Sequence, residues 1–425
     1  MLPERTEKKE FGISYLRKDG SVDTRTLRVY MPADVRTPAP AIFYAHYELA
    51  EDSLQLEMFL NRGWIVGMCV TAPGCNRDLV DDDLYFNNAA FVFLRAMEAV
   101  DKNKVIVYGG SAGGYMAMML SILHLGICGT ISYSGIFNQY FNTCCYMKSV
   151  HDLNMTAFSK LSEEEQQNHD TLVSVLPMRL QFDLQKWFGW FDADNQKDYV
   201  TLTPCRYTEC FSNPVLFAHF TSDNLVPIDQ VTHRYAYEES GESLPDGVKY
   251  RMALCELPDG CDKPLEDLIP KEQTAYHCTF ILGNHPDTSI VVPYSPDKKF
   301  NISVFDDGPV EAFGQHMKYE HGVTDFTGFI ANCFEKGQIE TASEEKLFML
   351  IKTYAGTNPI ICLPNQKTEA YGNGTALRKT VIEELRDYAS FDGDLIGKLR
   401  RISDSHIELE SAVNELIDAI MPLNG

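Results

Sequence analysis

The stretch of sequence that decides the fold is Lys104-Val-Ile-Val-Tyr108, followed by Gly109-Gly-Ser-Ala-Gly-Gly114 and Tyr115-Met-Ala-Met-Met-Leu-Ser-Ile-Leu-His-Leu125. The first part is almost fully apolar and predicts a short buried strand, whereas the last part predicts a helix. The glycine-rich part between them fits G-x-S-x-G with Ser111 at its centre. A strand, a sharp turn and a helix in this order hold the serine in strained backbone angles and present its hydroxyl at the tip. Ser111 is therefore the candidate nucleophile.

Short apolar runs and helical patterns alternate on both sides of this stretch. Strands are predicted at 11–21, 26–33, 40–46, 63–70, 127–134, 214–220 and 300–305, and helices at 53–62, 85–100 and 323–335. This alternation predicts an α/β fold with a mostly parallel sheet that helices cover on both faces.

Two long segments interrupt the alternation. Residues 137–212 are helical in pattern and are predicted to form a cap inserted over the sheet, and residues 235–297 form a second insertion rich in Pro, Gly and Asp. We therefore assign residues 1–337 to a catalytic domain and 338–425 to a C-terminal helical appendage.

The appendage carries an apolar seam at steps of four and three residues. The seam consists of Leu395, Leu399, Ile402, His406, Leu409, Val413, Leu416 and Ile420. Such spacing predicts a helix packed against another helix. The partner helix could be the one predicted at 376–389, or it could belong to a second copy in a homodimer.

The G-x-S-x-G turn at residues 109–113, called the elbow below, and the strand and helix beside it resemble the α/β-hydrolase superfamily. The order of strands and helices resembles that of the superfamily over roughly residues 10–335. The resemblance implies a catalytic acid after a later strand. Here the strand at 214–220 is followed by Asp223-Asn-Leu-Val-Pro227, which resembles the superfamily's Asp-x-x-Val-Pro. Asp223 is thus the implied acid, and Asp229 is the fallback.

The same resemblance implies a histidine after the last strand as the general base. A histidine can accept the serine's proton and return it to the leaving group, because its pKa lies near neutrality. The histidines in suitable order are His233, His277, His285, His316, His321 and His406. We choose His316, which follows the strand at 300–305 and precedes a Glu and the final helix, and we keep His321 and His285 as alternatives.

Two backbone N–H groups are implied as the oxyanion hole. The superfamily uses the residue after the nucleophile and one in the loop after the third strand, which correspond to Ala112 and Tyr47. The superfamily often has His-Gly in that loop, whereas this chain has Ala45-His46-Tyr47-Glu48. We interpret His46 as a structural residue that holds the loop by a hydrogen bond.

Composition limits the partners. The chain has 37 Lys and Arg against 60 Asp and Glu, a net charge of −23, which repels nucleic acid and anionic membranes. We expect neither as a partner, and no metal or organic cofactor, because no paired Cys or His ligands and no P-loop occur. The absence of a signal peptide or a long apolar run favours a cytoplasmic protein.

The expected activity is hydrolysis of a carboxylic ester, or a related acyl bond, of a small molecule through a Ser-His-Asp triad and an acyl-enzyme. The stretch at 26–46 resembles small-molecule esterases and also prolyl-oligopeptidase-like peptidases, so a serine peptidase or amidase is the second hypothesis. A catalytically inactive binding module with the same fold is the third, since a fold alone does not imply activity.

Overall fold

The computed structural model describes residues 6–17, 20–32, 38–70, 82–138, 142, 203–220, 226, 300–305, 326–337, 342–357 and 374–421. Most of the predicted cap at 137–212 and the whole insertion at 235–297 lie outside these residues. Within the part of the chain that the structure describes, no helix is long and apolar enough to cross a membrane.

Eight strands form a single sheet. They are β1 (Thr6–Leu16), β2 (Val22–Pro32), β3 (Ala39–Tyr44), β4 (Ile65–Cys69), β5 (Val100–Gly110), β6 (Gly129–Tyr133), β7 (Val215–Phe220) and β8 (Phe300–Phe305). Their order is β1-β2-β4-β3-β5-β6-β7-β8. β2 pairs antiparallel with both β1 and β4, and the other five pairings are parallel. The predicted mostly parallel sheet is confirmed.

Helices cover both faces of the sheet. Four helices of the described residues contribute to this cover: α1 (Leu54–Asn61), α2 (Asp82–Ala96), α3 (Ala112–Leu123) and α4 (Thr327–Lys336). Val105 and Val107 of β5 pack in one core cluster with residues of α2 and α3, whereas Ile106 and Tyr108 pack in another with residues of α1 and α4. Because strand side chains alternate between faces, one fully apolar strand serves both cores. α4 begins at Thr327, and the residues from the predicted start at Val323 to 325 lie outside the described part.

The described residues of the C-terminal region form four more helices. They are α5 (Glu344–Ala355), α6 (Gly374–Tyr388), α7 (Leu395–Ser405) and α8 (Glu410–Ile420). The seam pattern predicted one helix over 395–420, and this is wrong, because a 3₁₀ turn at Ile407–Leu409 separates α7 from α8. The break follows Ser403-Asp-Ser405, whose side chains compete with helical hydrogen bonds of the backbone.

The seam is buried inside the chain itself. Seven of its eight residues belong to a third core cluster together with apolar residues of α5 and α6, and His406 does not. His406 lies with its ring 4.5 Å from that of Phe348, and 42% of its side chain is exposed. A homodimer through these helices stays a prediction, and it would have to use side chains outside the seam.

Candidate functional site

Ser111 occupies a strained turn between β5 and α3. Its backbone angles are φ 54° and ψ −121°, and its N–H donates a 2.8 Å hydrogen bond to the carbonyl of Tyr133. A Cβ on Gly109 would lie 2.2 Å from the carbonyl oxygen of Gly113, and a Cβ on Gly113 would lie 2.5 Å from that of Ala45. Side chains at these glycines would therefore push the turn apart, which is why the motif needs small residues there.

Backbone strain is concentrated at one edge of the sheet. Among the described residues, the non-glycine positions with positive φ are His46 (71°), Ser111 (54°) and Ser134 (42°). They follow β3, β5 and β6, which are neighbours in the sheet and run parallel. Strained residues persist where the surrounding structure holds them in place, and they cluster at functional sites. The carboxyl edge of the central strands is thus the candidate site, as is usual for open α/β sheets.

The two predicted oxyanion donors lie on adjacent segments of this edge. Ala112 is the first residue of α3, so its N–H has no carbonyl partner within the helix and lies at the positive end of the helix dipole. Tyr47 Cδ2 would lie 3.6 Å from a Cβ on Gly113. The N–H of Tyr47, however, donates to the carbonyl of Ala45 at 2.8 Å. Tyr47 is therefore next to the elbow, but its N–H would have to share that bond with an oxyanion.

A buried charged cluster holds the loop that contains Tyr47. The Nδ1 atom of His46 lies 3.3 Å from Oδ2 of Asp83, and Arg25 donates to Oδ1 of Asp83 at 2.6 Å. The side chains of these three residues are at most 6% exposed. Burial by itself raises the pKa of Asp83, but its interactions with His46 and Arg25 outweigh burial and leave the pKa below its ordinary value. The structural role of His46 stays a prediction, and sequence reasoning found neither Asp83 nor Arg25.

The loops assigned to the acid and the base leave the same edge. β6, β7 and β8 follow β5 in the sheet, and each pairs parallel with its neighbour. Since neighbouring strands lie about 4.8 Å apart, the ends of β5 and β7 are separated by roughly 10 Å. Asp223 and His316 lie outside the described residues, as do Asp229, His285 and His321.

One contact joins β7 to a residue shortly after it in the sequence. The Nε2–H group of His219, in β7, donates to the carbonyl oxygen of Val226 at 2.7 Å, and both residues are buried. Val226, seven residues after His219 in the sequence, therefore packs against β7.

A family model matches the middle of the chain. The model named BD-FAE, an α/β-hydrolase-like domain, matches residues 87–236, which include the elbow and the loop after β7. The chain has the α/β-hydrolase fold.

Solved structures with this fold are similar to the chain at low sequence identity. The uncomplexed acylaminoacyl peptidase of Pyrococcus horikoshii is 16% identical with a TM-score of 0.46, and the match covers 81% of this chain and 44% of that one. Prolyl oligopeptidase B of Galerina marginata is 13% identical with a TM-score of 0.40, covering 80% and 38%. An esterase of Pyrococcus furiosus is 13% identical with a TM-score of 0.38, covering 78% and 91%. The chain thus spans less than half the length of these peptidases. No curated protein matches its sequence significantly.

The structure describes three of the predicted site residues. Ser111, Ala112 and Tyr47 lie at one edge of the sheet, where the fold places its nucleophile. Among the described residues, no three His, Cys, Asp or Glu side chains are grouped to hold a metal ion. The residue that sequence reasoning missed with most consequence is Asp83, because its position beside His46 depends on how α2 packs against β2 and the loop after β3.

Proposed function

We propose that the protein is a serine hydrolase that cleaves a carboxylic ester, or a related acyl bond, of a small molecule. The observation that carries the proposal is the conformation of Ser111. Ser111 directly precedes a buried helix, and its φ of 54° costs conformational free energy that a purely structural serine would not require. It is the arrangement that a nucleophile requires, because it presents the hydroxyl beside the N–H groups at the helix start.

In the proposed mechanism, His316 removes the proton of Ser111 and the serine oxygen attacks the substrate carbonyl. Asp223 orients the histidine and stabilises its positive charge. The oxyanion is held by the N–H groups of Ala112 and Tyr47, His316 then protonates the leaving group, and water releases the acyl-enzyme. The assignment of Asp223 is supported by its position in the sequence, shortly after β7, which is two strands away from β5 in the sheet.

We propose that the protein is located in the cytoplasm and that its partner is a small-molecule substrate. Cys69, Cys128, Cys205, Cys210 and Cys333 are buried free thiols, which suits a reducing compartment such as the cytoplasm. A small-molecule substrate is the expected partner, with neither nucleic acid nor membrane involved.

A fluorophosphonate probe tests the proposal directly. We expect the probe to label Ser111, as located by mass spectrometry, and Ser111→Ala to abolish both labelling and ester hydrolysis. His316→Ala is expected to lower kcat by roughly 10³-fold or more. The matched control is His406→Ala, because that ring packs on Phe348 in the C-terminal helices, and it should leave kcat unchanged.

The possible outcomes separate the hypotheses. An ester and an amide of the same acyl group, compared by kcat/KM, distinguish an esterase from a peptidase or amidase. Full activity in His316→Ala, with loss in His321→Ala or His285→Ala, would move the base to that residue. Absence of any labelling in the wild type would contradict the proposal and favour the binding module.

A further inference from the structure

We propose that Asp83, Asn87 and Arg25 are positioning residues for the oxyanion side of the site, and that they act through His46. The inference rests on the proposed function, which it deepens by assigning roles to a buried cluster outside the triad. Asp83 and Asn87 belong to α2 and Arg25 to β2, so none of the three is in the elbow or in the loop after β3.

His46 is the central residue of a tight turn. With φ 71° at His46 and the N–H of Tyr47 bonded to the carbonyl of Ala45 at 2.8 Å, the three residues form a γ-turn of the rare positive-φ type. A side chain strains this conformation, and it persists only where its surroundings over-determine it. The loop therefore needs support from outside.

The first two turns of α2 contact this loop. Asp83 and Asn87 are four residues apart, so they project from the same face of the helix. Asn87 Oδ1 accepts the backbone N–H of His46 at 2.8 Å, and its Nδ2 donates to the carbonyl of Asp83 at 2.8 Å. The carboxylate of Asp83 lies 3.3 Å from the His46 ring. The helix thus binds the backbone of His46 by a hydrogen bond and places a carboxylate beside its ring.

Arg25 fixes the carboxylate in turn. Its guanidinium donates to Asp83 Oδ1 at 2.6 Å and lies over the ring of Phe86, with its central carbon 4.2 Å from the ring centre. A buried ion pair adds little net stability compared with apolar residues of the same volume, but it allows few geometries. The buried ion pair is therefore consistent with a need to fix the position of the Asp83 carboxylate beside His46.

Contacts lead from His46 directly to the elbow. Its ring meets the ring of Tyr47 edge-on, with centroids 4.3 Å apart. The carbonyl of Ala45 and the ring of Tyr47 both lie against Gly113, two residues beyond Ser111. A shift of His46 therefore moves both groups that border the start of α3. A displacement of about 1 Å at reacting groups can cost roughly 100-fold in rate.

The test replaces Asp83 by its amide in the full-length protein. We expect Asp83→Asn to lower kcat for an ester by roughly 10- to 100-fold with KM within about threefold of wild type. Inhibition by a boronic acid should weaken by the same factor as kcat/KM, because its adduct with Ser111 places an oxygen at the oxyanion position. A loss of folded enzyme would lower the apparent kcat without weakening the boronate, so the weaker inhibition is the result that distinguishes positioning from a loss of stability.

Glu384→Gln provides a matched control. Glu384 is also a buried carboxylate beside one histidine and one arginine, His124 and Arg95. His124 caps the opposite end of α3 from Ser111, about 18 Å away for a helix of this length. This variant should keep the wild-type kcat.

The outcomes distinguish this inference from the proposed function. If wild-type Ser111 is labelled and Asp83→Asn keeps kcat and boronate affinity within twofold, the inference is wrong and the proposed function stands. If the wild type is neither labelled nor active, both are wrong. Should Asp83→Asn fail to fold, Asn87→Ala removes the acceptor of the His46 N–H with the ion pair intact, and the same loss of kcat is required of it.

Discussion

The ammonium group of Lys346 donates a 2.8 Å hydrogen bond to the main-chain carbonyl of His124. It also donates to the carbonyls of Ser121 and Ile122, each at 2.6 Å. Lys346 lies in α5 and is fully buried, while the three carbonyls lie at the carboxyl end of α3. That end has unpaired carbonyls and a partial negative charge, so the lysine caps the helix that begins after Ser111. The C-terminal helices therefore help to hold the helix that presents the candidate nucleophile.

Lys346→Met is expected to destabilise the fold by about 3 kcal/mol, because three buried carbonyls lose their donor at once. Urea denaturation should show a lower midpoint with an unchanged slope. Lys352→Met is the control on the same helix, since that ammonium lies 4.6 Å from the centre of the Phe348 ring and contributes about 1 kcal/mol or less. Equal losses in the two variants would contradict the capping role.

Glu384 is expected to make stability depend on acid pH. Burial alone raises its pKa, but interactions with His124, Arg95 and the N–H of Leu125 lower the pKa by more than burial raises it. The net result is a pKa of about 2, compared with an ordinary value of 4.5. The folded-state pKa is therefore below the unfolded one, so this contribution is complete above about pH 4.5 and is lost as the pH falls toward 2. The shift corresponds to about 3 kcal/mol.

The measurement is the free energy of unfolding of wild type and Glu384→Gln between pH 7 and pH 3. The difference between the two proteins should shrink steadily below pH 4.5, because only the wild type has a carboxylate to protonate. A difference that stays constant with pH would show that Glu384 does not titrate in this way.

Much of the fold can be predicted from local sequence patterns. The buried contacts of Lys346 and Asp83 cannot, because they depend on residues far away in the sequence. The elbow is predictable because strand, turn and helix are contiguous in sequence around Ser111. Lys346 stands in Glu344-Glu-Lys-Leu347, which has the charge pattern of a solvent-exposed helix face, so no local signal indicates that it is buried. Asp83 likewise follows two other aspartates, and its role depends on Arg25 in β2, 58 residues earlier.

The helical seam illustrates the same limit. Its spacing correctly identifies the residues that become buried, but a pattern of four and three cannot show whether the helix continues through Ser403-Asp-Ser405. The chain turns there so that α7 and α8 both pack against α5, and this is a tertiary requirement.

Leu416→Ala tests whether the seam residues pack within one chain or between the two copies of a dimer. Leu416 is completely buried within one chain, so the substitution should destabilise by about 3 kcal/mol without changing the molar mass measured by light scattering. Ile407→Ala is the control, because Ile407 is 77% exposed and should cost little. Conversion of a dimer to a monomer by Leu416→Ala would show that the seam joins two copies.

The strain at Ser111 can be measured with two substitutions that both remove the nucleophile. Ser111→Ala keeps a Cβ at φ 54°, whereas Ser111→Gly removes it. Glycine tolerates positive φ, so Ser111→Gly should be more stable than Ser111→Ala by about 1 kcal/mol, even after the greater freedom of glycine in the unfolded chain is subtracted. At Ser121, inside α3, the order should reverse, because alanine is the better helix former. If the alanine variant were the more stable one at both positions, the elbow would not be strained. The conformation of Ser111 would then no longer support the proposed function.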